Sequence, residues 1–146
     1  MPEVSTTRIR PYVIRVYLGS ILAFFLVKGA IRPWVLARDF WVALDVIVLS
    51  FPNLVEAIVG ISNVYGLILI AKHRGVFWMG KRSDRFVLFV SGALTGLFVL
   101  TQELGLHHLG GNNVTDPFDV AASIVGIVLM MTIFSRYGFF KEMQRP

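Results

Sequence analysis

Four times between Val16 and Phe134 the chain settles into an apolar run of about 20 residues, and a helix of that length crosses a hydrocarbon core about 30 Å thick. Nothing else in the sequence constrains the fold so tightly. The runs predict an all-α integral membrane protein, a four-transmembrane-helix bundle in a single domain, with spans at about 16–36, 46–71, 86–106 and 118–134. Composition agrees: with 55% hydrophobic and only 16% charged residues, the 146-residue chain has too little polar surface for a soluble domain. Pro52 falls in a stretch, Trp41 to Ala71, longer than a bilayer needs, and is expected to kink it or to separate a short interfacial piece from the span. Arg8, Arg10 and Arg15 ahead of "VYLGSILAFFLV" imitate a signal peptide. Lys28 and Arg32 spoil any cleavage site beyond it, so the run reads as an uncleaved first span.

The basic residues orient the bundle. Arg8, Arg10 and Arg15, then Lys72, Arg74, Lys81, Arg82 and Arg85, then Arg136, Lys141 and Arg145 make 11 of the 14 Lys and Arg, and all fall on one side of a four-span chain. By the positive-inside rule both termini are cytoplasmic. A formal charge of +5 therefore reflects topology and anionic headgroups, and no nucleic acid is expected as a partner. Trp34, Trp41 and Trp78 stand near span boundaries, as interfacial aromatics do.

The acids are placed differently. Asp39, Asp45, Glu56, Glu103, Asp116 and Asp119 lie at or near the opposite, outer half. Helical spacing puts Asn53, Glu56, Gly60 and Asn63 on one face of the second span, Gly92, Gly96, Glu103 and His107 on one face of the third, and Asp119, Ser123 and Gly126 on one face of the fourth. Small residues let helices approach closely in lipid. Gly60, the pair Gly92 and Gly96, and the pair Ala122 and Gly126 are accordingly expected to pack helix on helix, and the acids above them to converge. Glu56 lies roughly 22 Å from the inner end of its span at Ala71, and Lys28 roughly 18 Å from the same side. A charge so deep costs a few kcal/mol unless paired or hydrated, so Lys28 or Arg32 is expected to neutralise Glu56, in either a structural or a functional pair. At the fourth span, Thr115 or Asp116 can cap the helix and Pro117 suits its first turn. Asp119 serves the helix dipole or the stripe it heads.

Chemistry beyond this is sparse. There is no cysteine, which excludes disulfides and thiolate metal sites. Glu103, His107, His108, Asp116 and Asp119 contain metal-competent groups without a recognised ligand spacing. No nucleophile elbow, Walker loop or dinucleotide fingerprint occurs. Neither catalytic activity nor a cofactor is expected.

Gln102 and Glu103 close the third span, "LHHLGGNNVTD" forms a polar outer loop, and Asp116, Asp119, Ser123 and Gly126 open the fourth. In that order these pieces resemble the VanZ-like family of small bacterial membrane proteins. The Gln precedes the Glu here, Asn112 and Asn113 stand where a basic residue is common, and Ser123 stands where Asn is frequent. The resemblance implies a cell-envelope role in the bacterial cytoplasmic membrane; the family's namesake is linked to glycopeptide resistance. It suits an outward-facing polar pocket that binds a polar lipid or envelope precursor. Lys28, Arg32 and Arg38 would then meet phosphate, and Glu56, Glu103 and Asp119 would orient sugar or amine groups. The alternative is an accessory subunit of a larger membrane complex, whose stripes are packing seams and whose partners are other membrane subunits. Ion conduction finds no matching polar path in the inner half.

Overall fold

A computed structural model describes residues 7–38, 41–75, 82–103 and 116–142. In chain order they form β1 (Thr7–Ile9), α1 (Pro11–Leu26), a π turn (Val27–Ile31), α2 (Arg32–Leu36), α3 (Val42–His73), α4 (Asp84–Glu103), α5 (Pro117–Tyr137) and β2 (Phe140–Glu142). Four helical segments are long and apolar enough to cross a membrane: Pro11–Leu36, taken through the π turn, then α3, α4 and α5.

The π turn has a local cause. Pro33 lacks an N–H, and its ring would crowd the carbonyl of Gly29 in a regular α-helix. The helix widens just before it, and the Arg32 N–H reaches back five residues to the Val27 carbonyl. Pro52 has no such effect on the element count. It lies inside α3, which runs unbroken from Val42 to His73, so no separate interfacial piece precedes the second span. At 32 residues this helix is roughly 48 Å long, more than a hydrocarbon core requires.

That length makes α3 the hub. It packs most extensively against α5, then α4, then α1. Ala57, Ile58, Ile61, Tyr65 and Leu69 form one buried stripe of α3 and meet Val87 and Leu88 of α4 and Ile127, Met130 and Phe134 of α5. Ala57, Ile61 and Val87 are wholly buried. Hydroxyls along these faces are satisfied within their own helices: Ser62 donates to the Ile58 carbonyl at 2.6 Å, Ser91 to Val87 at 2.8 Å and Thr95 to Ser91 at 2.9 Å, as polar side chains in an apolar helix must be. A smaller core of Val27, Val35 and Val48, flanked by Ile31 and Phe51, joins α2 and the π turn to the first half of α3.

Glycine allows the closest helix approach. A Cβ built at Gly126 would stand 2.7 Å from the Leu54 carbonyl oxygen and 3.2 Å from the Ala57 Cβ. At Gly92 it would meet the Met131 sulfur at 2.7 Å, and at Gly60 the Thr95 Cγ2 at 3.2 Å. Gly96 is looser, with Ile127 Cδ1 at 3.8 Å. Ala122, half-buried, borders an open apolar groove with Phe118 and Val125 opposite Val46 and Phe51.

The two ends of the described chain meet. β1 and β2 pair antiparallel, with Arg8 opposite Lys141 and Ile9 opposite Phe140. Arg10 donates its backbone N–H to Phe139 at 3.0 Å and its Nε to the Phe140 carbonyl at 3.1 Å. The Tyr12 hydroxyl donates to the Gly138 carbonyl. Gly138 turns the chain off α5 with φ of 68°, a conformation that favours glycine. This turn drops Phe139 against Gly66, where a Cβ would lie 2.8 Å from the ring, and between Tyr65 and Phe134. The α3–α4 connection returns to the same end, marked by the Lys72–Asp84 ion pair.

Candidate functional site

Asn53, Glu56 and Gly60 of the first stripe, Glu103 of the second and Ser123 of the third line one small cavity of about 60 Å³, which Asp119, Gly92, Gly96 and Gly126 do not border. α3 contributes Asn53, Glu56 and Gly60 to it, α4 contributes Thr95, Gln102 and Glu103, and α5 contributes Ser123. The void exists because Gly60, Thr95 and Ser123 supply little volume at this level, while longer polar side chains line it from above. It has room for a few water molecules or one small polar group.

Thr95, Glu103 and Ser123 are its buried walls, whereas Glu56 and Phe98 are exposed. Ser123 is 2% exposed and donates to the Asn53 carbonyl at 3.3 Å, tying α5 to α3. Glu103, 6% exposed, accepts from the backbone N–H of Asp116, so the last residue of α4 anchors the residue that starts α5. Asp116 in turn caps α5: its Oδ1 accepts from the Phe118 N–H at 2.9 Å, and Pro117 takes the first helical position. This is the capping anticipated for Asp116. Asp119 lies just beyond. Its Oδ1 is buried without a hydrogen-bond partner among the described residues, and its charge is felt by both Glu56 and Glu103. Three carboxylates therefore lie within electrostatic reach of one another, Glu103 at the end of α4, Asp119 in the first turn of α5 and Glu56 near the middle of α3.

The cations do not complete the site as expected. No ion pair within 4.0 Å joins Glu56 to Lys28 or Arg32. A second, open cleft of about 400 Å³ separates α1 from α3 at this level, with Ile21, Phe24 and Phe25 on one side and Val55, Glu56 and Val59 on the other. Across that gap the Lys28 ammonium folds back over the Phe24 ring, 5.2 Å from its centroid, the i, i+4 neighbour on its own helix. Lys28 still acts on Glu56 through space. Arg32 is half-buried and borders neither cavity. Arg38 stacks on Trp34 at 4.6 Å.

Glu56 is consequently the pivot. With Gly60 and Phe98 it belongs to both spaces, the small cavity and the apolar cleft, and its side chain is exposed. Asn63, expected on the same stripe, is exposed instead. His107 and His108 fall outside the described residues, and among the described residues no group of three His, Asp or Glu is arranged to hold a metal ion. Thr95 and Phe98 belong to the site but were not anticipated. Thr95 carried a usable signal, since a lone hydroxyl one turn from Ser91 in an apolar helix belongs on its protein-facing side. Compared with known proteins, the chain matches no family model, no curated protein and no solved structure.

Proposed function

We propose that this chain is a VanZ-like integral membrane protein of the bacterial cytoplasmic membrane, with both termini cytoplasmic, that binds the polar head of a membrane lipid or envelope precursor. The observation that carries this reading is the junction at Glu56, where a small cavity bordered by Asn53, Gln102, Glu103 and Ser123 adjoins an apolar cleft open to the side of the bundle. An amphiphile needs both environments. Its chain would lie against Ile21, Phe25 and Val59, while hydroxyl or amine groups would reach Glu56, Glu103 and the Asn53 and Gln102 amides. Lys28, in electrostatic reach of Glu56, and Arg32 would meet a phosphate from the α1 side. Gln102, Glu103 and Ser123, three of the residues on which the resemblance rests, line one cavity.

Native mass spectrometry of protein extracted gently from its own membrane tests the reading. The expected result is a specific bound lipid that is retained by wild type and depleted in Glu56→Gln and in Arg32→Glu variants of unchanged helicity. Equal lipid occupancy in all three would refute the assignment. The accessory-subunit reading draws on a separate observation: α1 buries only Val13, while Leu18, Leu22 and Phe25 are more than half exposed. Such a face suits lipid or a partner helix. Stoichiometric co-purifying subunits, with no bound lipid, would favour that second reading.

A further inference from the structure

At the end of the bundle where the two chain ends meet, far from the carboxylates, α4 and α5 leave an open groove of about 320 Å³ between them. Its walls are Leu88 of α4 with Val128 and Met131 of α5. From Val128 to Ser135, the last α5 residue in its lining, it extends roughly 10 Å along the helix. Arg85, in the first turn of α4, closes its outer end. The guanidinium is exposed and makes no ion pair or hydrogen bond with a described residue. Asp84 beside it is already taken by Lys72. The two hydroxyls in the groove are not free donors: Thr132 bonds the Val128 carbonyl at 2.8 Å and Ser135 the Thr132 carbonyl at 2.9 Å. The groove thus has apolar walls and a single cationic fork at its polar end.

We propose that this groove is a binding site for an anionic phospholipid, with Arg85 holding the phosphate and one acyl chain lying over Leu88, Val128 and Met131. Charge complementarity selects this occupant. The exposed basic residues Arg8, Arg15, Arg74, Arg82, Arg136 and Lys141 share that end of the bundle, so the field there is positive and a zwitterionic lipid gains little. A planar guanidinium pairs with phosphate oxygens two at a time, and the aligned N–H groups at the start of α4 favour the same anion. Depth supplies the rest, because a headgroup held at Arg85 places its chain along the groove rather than across the bundle.

The test is a lipid titration of the full chain in detergent, read by native mass spectrometry, with phosphatidylglycerol and phosphatidylcholine as probes. Wild type is expected to take up one phosphatidylglycerol in preference to phosphatidylcholine. Arg85→Ala should weaken that site about tenfold or more, and Arg85→Lys should weaken it less. Arg74→Ala, at the same end but outside the groove, should leave it unchanged. Val128→Trp fills the groove from an exposed position and should abolish uptake with Arg85 intact. Excess inorganic phosphate should not displace the lipid. Equal binding by Arg85→Ala and wild type, an equal loss in Arg74→Ala, indifference to the choice of headgroup, or displacement by inorganic phosphate would each overturn the proposal.

Discussion

Gly126→Ala is the most informative single change, because its effect is set by a backbone atom that cannot rotate away. The new Cβ would start 2.7 Å from the Leu54 carbonyl oxygen, whereas carbon and carbonyl oxygen rest no closer than about 3.3 Å. α5 must therefore shift by about 0.6 Å from α3, and the neighbouring Ala57 Cβ at 3.2 Å blocks the easy direction. Overpacking of this kind costs about 1–3 kcal/mol. Alanine's better helix propensity returns up to about 1 kcal/mol, leaving a net loss of up to about 2 kcal/mol. Gly96→Ala is the matched control. Its Cβ would sit 3.8 Å from Ile127 Cδ1, an ordinary contact, so the change should be neutral or stabilising by up to about 1 kcal/mol. Helicity followed through a thermal ramp in a mild detergent should rank Gly96→Ala at or above wild type and Gly126→Ala clearly below it. Ser123 lies one turn away on α5, so the shift should also open the 60 Å³ cavity and reduce bound lipid. If Gly126→Ala is as stable as Gly96→Ala, α3 and α5 do not touch where they are described as touching.

Two further outcomes follow from single hydrogen bonds. Asp116→Ala removes the cap on the Phe118 N–H and should lower stability by about 1 kcal/mol, while Asp116→Asn, still able to accept, should recover most of it in the same thermal ramp; equal losses would show that the cap is not what matters. Tyr12→Phe deletes the bond to the Gly138 carbonyl, a net loss of about 1 kcal/mol. It should hasten tryptic cleavage after Arg8 as the strand pair opens, and unchanged cleavage would show that the clasp is held by its other contacts.

The four helical segments were legible because bilayer thickness fixes a length, and a length can be counted. Asp116 and Pro117 were legible because a cap has a fixed offset from its helix. The facing of the stripes followed from the spacing of Gly60, Gly92 and Gly126. The pairing of β1 with β2 was not legible: three-residue strands carry no period, and Thr7 and Glu142 are brought together only by the bundle between them. Of the two alternatives at Pro52, the separate interfacial piece does not form, since α3 continues through it, whereas Pro33, near the end of its segment, left its mark as a π turn.

Lys28 shows where such reading runs out. Sequence gives depth along a helix at about 1.5 Å per residue, and by that measure Lys28 and Glu56 stand at similar levels. Depth says nothing about how far apart two helices stand at that level. Here a cleft bordered by Phe24, Phe25 and Phe98 opens between α1 and α3, and the ammonium lies over an aromatic face on its own helix. The unmade ion pair is what gives the site its character. A contact pair would close Glu56 into a structural bridge between two helices; without it, Glu56 borders both the cleft and the cavity. A bilayer makes an uncompensated charge in that position costly, and under the lipid-binding reading proposed above a headgroup would supply the compensation that Lys28 does not supply by contact.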